Sequence, residues 1–439
     1  MLFYKNSKIE ILAVQRGKKD SACALRIVSY IVLFLYMSIN VSLAQLKSVD
    51  QKHYTESKTS KRIGAFSVEA DLASGVYYDS NIFEATTNAT SDVVYYIVPR
   101  VIIQSHVPRH SLSLDMGLKR LDYKDSDVDS STEYDAILKS KIGIRKDLSL
   151  DISVTGAHLS QKRTFGDATV PTNLAKPLDK DYFKTNAALT KKFNRLNAVV
   201  AFSYEKTDID DAIDTLGNSV EQDFNDKEVY KVGAKFEYYW SSKMQLLFGL
   251  GAEFEDFRKV GGSFLTSSGL NLSNRDVDRV YISKGIYYNF SSITQAQFNF
   301  ALTQEEYDNP SIPDLGVLPS FEALIYWVPN SIWSTKFKVG WEDAGVDFSE
   351  DAASSEVTRL AAIVTYHPRK YFTIQSTAAY EYSDFEVSEE DLYLYNLSTS
   401  YAITKGVLFS VDYGFEKEVS SNDSTLKRHI VQGSFKSKF

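Results

Sequence analysis

The chain has 439 residues, with 49 Lys and Arg against 57 Asp and Glu, for a formal net charge of −8. That balance argues against nucleic acid as a partner, and the single cysteine, Cys23, rules out a disulfide within the chain. Tyr (28) and Phe (26) far outnumber Pro (9) and Met (4), which favours strands, and the length suits two or three ordinary domains or one large barrel.

Residues 1–44 read as a signal peptide. Lys5, Lys8, Arg16, Lys18, Lys19 and Arg26 form a basic region, IVSYIVLFLYMSI (27–39) an apolar core, and Ser42-Leu43-Ala44 a small-residue site with cleavage before Gln45. An uncleaved membrane anchor is the alternative, although the apolar run is short for a span. Cleavage removes six basic and two acidic residues along with Cys23, leaving 43 basic and 55 acidic residues, a net charge of −12, and no thiol. Residues 45–62 are polar and basic without a period, the pattern of a flexible periplasmic tail. No later 18-residue apolar run exists to form a transmembrane helix.

From residue 63 to 439 the sequence alternates apolar with polar or small residues. Leu112, Leu114, Met116 and Leu118 alternate with Ser113, Asp115, Gly117 and Lys119; Phe409, Val411, Tyr413 and Phe415 alternate with Ser410, Asp412, Gly414 and Glu416. A period of two over about ten residues is the strand signal. Short turns at 107–110, 145–148, 193–196, 240–243, 289–292, 328–331, 367–370 and 403–406 alternate with longer polar loops such as 161–180, 208–226, 258–275, 305–317 and 343–355. Eight turns and nine loops give 18 strands, with both termini on the short-turn side. The expected fold is therefore all-β, a transmembrane antiparallel β-barrel of the outer membrane, with short periplasmic turns and longer outer loops. The proline-bearing stretch 308–330 leaves the twelfth and thirteenth strands least regular, and 16 is the alternative count.

Charge and aromatic residues follow the same division. The turns are basic or neutral, whereas 208–226 and DFEVSEED (384–391) are acidic; loops 161–180 and 258–275 are net basic. Phe193, Trp240, Phe290, Trp327 and Trp333 crowd the turns, as an aromatic belt requires. Tyr77, Tyr78 and Phe83 are expected at the opposite, outer boundary. In the terminal SFKSKF, Phe435 and Phe439 share a face with Val431 and resemble the signal read by the barrel assembly machinery, although Ser437 stands where an aromatic or aliphatic residue is usual.

If apolar faces meet lipid, the other faces line a lumen. The candidate lining comprises Lys139, Lys141 and Arg145; Lys231, Lys235 and Glu237; Glu253 and Glu255; Gln295, Gln297 and Asn299; Lys336 and Lys338; and Asp412 and Glu416. Eighteen strands enclose an aqueous channel rather than a packed core. A lining of both signs with amides suits a hydrated, hydroxyl-rich polymer, and equally any porin lumen. His53, His106, His110, His158, His367 and His429 show no spacing with Ser that implies a nucleophile and base, so no enzyme activity, catalytic residue or cofactor is expected. The acidic runs lack the spacing of a calcium loop, so no metal site is expected.

The run GVYYDSNIF with the following SDVVYYIVPRVIIQSHVPRHSLSLDMGLKRLDY resembles the β-barrel porin 2 family, outer-membrane proteins associated with exopolysaccharide gene clusters. The resemblance rests on Tyr78, Asp79, Ser80, Asn81, Ile82 and Phe83, then Ser91-Asp92, Pro99, and His110-Ser111-Leu112, and is specific over residues 75–125. It implies a conduit for an exopolysaccharide or capsule-like polymer, working with a periplasmic polysaccharide-export protein, in contact with outer-membrane lipid and lipopolysaccharide. It implies no catalytic residues; Asp79 and Asn81 would shape a turn and Phe83 would anchor it. The alternatives are a diffusive porin for small hydrophilic solutes and a structural or adhesive surface barrel.

Overall fold

The computed structural model describes residues 61–105, 107, 109–163, 174–258, 275–309, 315–344, 355–385, 388–421 and 424–439. The expected signal peptide (1–44) and nearly all of the expected tail (45–62) lie outside them, as do His53 and His106. Eighteen strands form the wall: β1 (Phe66–Asp79), β2 (Asp92–Ser105), β3 (His110–Tyr123), β4 (Ser131–Arg145), β5 (Leu148–Gln161), β6 (Leu178–Lys192), β7 (Leu196–Ile209), β8 (Lys227–Tyr239) and β9 (Met244–Phe257). They continue with β10 (Val277–Asn289), β11 (Thr294–Tyr307), β12 (Val317–Trp327), β13 (Trp333–Ala344), β14 (Ser355–Arg369), β15 (Phe372–Phe385), β16 (Glu389–Thr404), β17 (Val407–Ser420) and β18 (Thr425–Lys438).

Each strand pairs antiparallel with the next, and β1 pairs with β18 from Asp71 opposite Lys438 to Asp79 opposite Ile430. The sheet thus closes on itself, which removes the unpaired edges that an open sheet would present. The period of two explains why these residues can do this. Val200 and Phe202 on β7, Phe298 and Phe300 on β11, and Phe337 and Val339 on β13 are exposed large apolar residues on one face, while the residues between them are polar or small. An apolar exterior that no protein covers is what lipid requires. The proline in β2 is accommodated locally: Pro99 has no N–H, and the ladder to β3 passes from Ile97–Arg120 to Arg100–Gly117 without pairing Val98 or Pro99.

Two expectations change. Lys61 and Arg62, read as tail, form with Ile63 a short strand antiparallel to the start of β1, turned by Gly64 at φ 61°. Loop length also alternates less strictly than the sequence implies. Asp384 and Phe385 end β15 and Glu389–Asp391 begin β16, so DFEVSEED is mostly strand, and the last outer connection is only 421–424. Backbone pairing of Asp384 with Glu389 holds these carboxylates in the ladder at its water-facing end.

Candidate functional site: the inner wall and outer mouth

The polar faces carry chains of ion pairs that run across neighbouring strands. Antiparallel register sets Lys231 opposite Glu253, Glu253 opposite Arg279, and Arg279 opposite Glu305, four residues of alternating sign on β8–β11. Lys231 lies 2.7 Å from Glu253, while Arg279 reaches Glu305 at 2.7 Å, Glu255 at 2.6 Å and Glu253 at 3.3 Å. Lys227 closes on Glu255 at 2.7 Å. Further round, Lys338 pairs with Glu322 at 2.7 Å, and Arg359 lies between Glu342 and Glu381. On the other side Arg100 on β2 holds Asp115 at 2.5 Å and Asp135 at 2.8 Å, and Lys184 pairs with Glu205 at 2.8 Å. Directly opposed side chains of opposite sign stabilise a sheet, and charge-assisted hydrogen bonds are the stronger kind.

The structure brings some of the sequence-derived lining residues together and keeps others apart. Lys231, Glu253 and Glu255 join one network, and Lys235 pairs with Glu237 at 2.8 Å. Lys141 pairs with Asp151 at 3.1 Å, and Arg145 stands 3.9 Å from Asp147 in the adjoining turn. Gln295 and Gln297 are buried, and Asn299 sits opposite Gly285. Lys139, Lys336 and Asp412 share the polar faces of β4, β13 and β17 without belonging to these networks. The residues that organise the networks, Arg279, Glu305, Arg359 and Arg100, were missed in the sequence. Each has the correct alternation; what singles them out is register, which pairs them with carboxylates far away in the chain.

At the outer end, Arg428 on β18 binds both carboxylate oxygens of Asp79, with Nη2 at 2.7 Å and Nε at 3.0 and 3.1 Å. It also reaches Glu84 and, at 3.5 Å, Glu416. Asp79 is fully buried, and the side chain of Arg428 is 9 % exposed. Asp79 also accepts from the Asn81 amide at 3.0 Å, while the Asn81 side chain accepts from the Ala85 N–H and donates to the Ala85 carbonyl. The Ser80 hydroxyl accepts from the His429 amide at 2.7 Å. Tyr77 and Phe83, expected at a membrane boundary, lie inward instead: both pack on a cluster of Ile82, Val94, Leu121 and Tyr123, whose backbone positions alternate with the exposed Tyr78, Tyr95 and Leu118. Only Tyr78 faces outward as expected. Lys162, just beyond β5, has its ammonium lowered first by burial and then by Arg428, against the opposing pull of Asp79 and Glu84.

The other outer connections pack on one another. Leu174, Leu178 and Ala212 form a second cluster, and the Ala175 N–H donates to Ile213 O at 2.7 Å. Arg258 joins Asp223 and Asp226, and Arg275 lies over the Phe257 ring at 4.1 Å. At the short-turn end Phe193, Trp240, Phe290, Trp327 and Trp333 are exposed, with Trp333 stacked on Tyr366 at 4.2 Å. Val431, Phe435 and Phe439 are exposed along β18 and its end, with Phe435 against Phe409 at 4.9 Å. Among the described residues no group of three His, Cys, Asp or Glu is arranged to hold a metal ion. His158, His367 and His429 sit apart, bonded to Asp181, Thr373 and Tyr413 respectively.

A closed antiparallel wall with an apolar exterior, a charged and polar interior and short turns at one end defines a porin-type barrel of the bacterial outer membrane. The family described as "Putative beta-barrel porin 2" matches residues 58–439, and the chain belongs to it. Among solved structures, the chain is similar to the outer membrane protein OpdK of Pseudomonas aeruginosa, at 9% identity and a TM-score of 0.48 over 85% of this chain and 99% of that one. It is similar also to OccK3 (OpdO) of the same organism, at 10% identity and a TM-score of 0.48 over 85% and 96%. A third is OpdL, again of P. aeruginosa, at 10% identity and a TM-score of 0.46 over 86% and 100%. No curated protein matches the chain.

Proposed function

We propose that the protein is a diffusive channel for small hydrophilic solutes. The observation that carries this is the self-pairing of the inner charges. In the Lys231–Glu253–Arg279–Glu305 row, and in the Lys184–Glu205 and Lys338–Glu322 pairs, each charge is compensated on a neighbouring strand. A lining so compensated presents a field that falls off quickly into the lumen. It raises no large barrier to either sign and leaves many polar groups for a hydrated solute to exchange water with. Eighteen strands leave room for an aqueous path. Exopolysaccharide export, which the resemblance implied, draws no support from the comparisons, and the diffusive alternative fits the geometry better.

The test is swelling of liposomes containing the purified barrel in sugars, amino acids and small organic ions of graded size. Uptake is expected to fall with solute size and to differ little between anions and cations of equal size. Absence of swelling with every solute would refute the reading. Loss of surface polysaccharide with periplasmic accumulation in a deletion strain would restore polymer export in its place.

A further inference from the structure

The first outer loop, residues 80–91, lies against the inside of the wall. Ile82 is 2 % exposed because it packs on Val94, Leu121 and Tyr123, which alternate along β2 and β3 with residues exposed on the outside. By the two-residue period these partners point into the lumen, so the loop that covers them is on the concave side. The loop is held from two directions. Arg428 on β18 grips Asp79 and Glu84. Arg163, two residues past β5, places its guanidinium 4.7 Å from the centre of the Phe83 ring and binds both oxygens of Asp129, at 2.7 and 2.6 Å.

Phe83 and Glu84 are consecutive residues, yet the two cations they meet are rooted at β5 and β18. Those strands are five spacings apart around the wall, about 24 Å at ~4.8 Å per spacing. The loop and the segment after β5 must therefore lean toward each other over the lumen face of β1–β4. Glu84 adopts φ 54°, a left-handed conformation that a non-glycine residue keeps only where its surroundings impose it. Here the Arg428 pair and the Glu84 N–H donating to Asn81 O at 3.3 Å do so.

We propose that residues 80–91 are a fixed constriction of the channel's outer mouth, latched by Arg428 on one side and by Arg163 on the other. The YDSNIF motif then shapes the pore: Asp79 and Asn81 set the turn that sends the chain inward, Ile82 seats it, and Phe83 and Glu84 receive the two latches. This inference rests on the channel reading above.

The experiment is single-channel recording of the refolded full chain in planar bilayers, with Arg163→Ala, Glu84→Ala and a deletion of residues 86–90. Folding of each variant is checked by its heat-dependent mobility on a denaturing gel. Releasing or shortening the loop is expected to raise conductance by up to about twofold, with added current noise. Folded variants that match the wild type in both quantities would overturn the constriction while leaving the channel intact. A wild type that passes no current would instead overturn the channel itself. Should the latch variants fail to fold, Thr87→Cys in a Cys23→Ser background supplies the answer. Its reaction with a charged methanethiosulfonate is expected to lower the current, and an unchanged current after complete reaction overturns the proposal.

Discussion

Replacing Arg279 by methionine should make the channel prefer cations and should weaken the barrel. Arg279 is the only cation that touches all three of Glu253, Glu255 and Glu305 among the described pairs; its side chain is 25 % exposed, and those of Glu255 and Glu305 are 10 % exposed each. Lys227 and Lys231 remain to hold Glu255 and Glu253, but the Arg279 bond to Glu305 is lost. Hydrogen bonds to charged groups contribute about 1.5–3 kcal/mol each, and stranding a buried partner costs about 3–5 kcal/mol. The partly wet lining moderates this, so a loss of about 2–3 kcal/mol is expected. The same change leaves one uncompensated negative charge. An ion passing about 8 Å away feels roughly 0.5 kcal/mol in water, reduced to about half by screening at 0.1 M salt. Acting with opposite signs on cation and anion, this shifts their permeability ratio about twofold toward cations. The assays are the reversal potential across a salt gradient and the midpoint of urea unfolding followed by tryptophan fluorescence. A variant that keeps both wild-type values would refute the view that the row is a mutually compensating lining.

Gly75 on β1 faces the backbone carbonyl of Gly433 across the closing seam, and a Cβ there would run into that carbonyl and the Tyr96 ring. Gly75→Val should therefore cost about 1–3 kcal/mol and slow appearance of the compact, heat-modifiable band; unchanged folding would mean that the seam tolerates a wider spacing. Asp214 lies in the connection between β7 and β8, where its carboxyl is held below its ordinary range first by the side chain and then by the backbone N–H of Asn218. A depressed carboxylate contributes order above its unfolded pKa and loses it as pH falls through its folded value. Protection of residues 210–220 from hydrogen exchange should thus persist at mildly acidic pH and disappear only below the usual carboxylate range, and a loss already at pH 6 would contradict the assignment.

The wall was legible because one signal repeats throughout. Alternation along Leu112–Lys119 or Phe409–Glu416, punctuated by turns such as WSSK, depends only on local chain geometry, and it placed all 18 strands, including the two around Pro-bearing 308–330. What the sequence hides is register. Nothing local distinguishes Arg279 from other polar residues of its strand; its meaning comes from Glu253 and Glu305, which only the antiparallel ladders bring opposite it. YDSNIF shows the same limit. Its apolar residues are as compatible with a membrane belt as with an inward-packed loop, and Arg428, which decides between them, stands 349 positions from Asp79. The acidic DFEVSEED misleads for another reason: carboxylates at the end of a barrel strand remain in water, so they need not leave the ladder.

The short strand Lys61–Ile63 lies along β1 on the edge that β18 also uses. It pairs with Phe66–Val68, while Phe439 donates its N–H to Ala70 O at 2.8 Å, just two residues further on. Both extremities of the folded barrel therefore surface at one spot on the periplasmic rim. Lys61 enters the wall beside Phe439 rather than on the far side of the pore. Fluorophores attached at residue 61 and at the carboxyl end would report one neighbourhood, and a circularly permuted barrel would need only a short splice to join them.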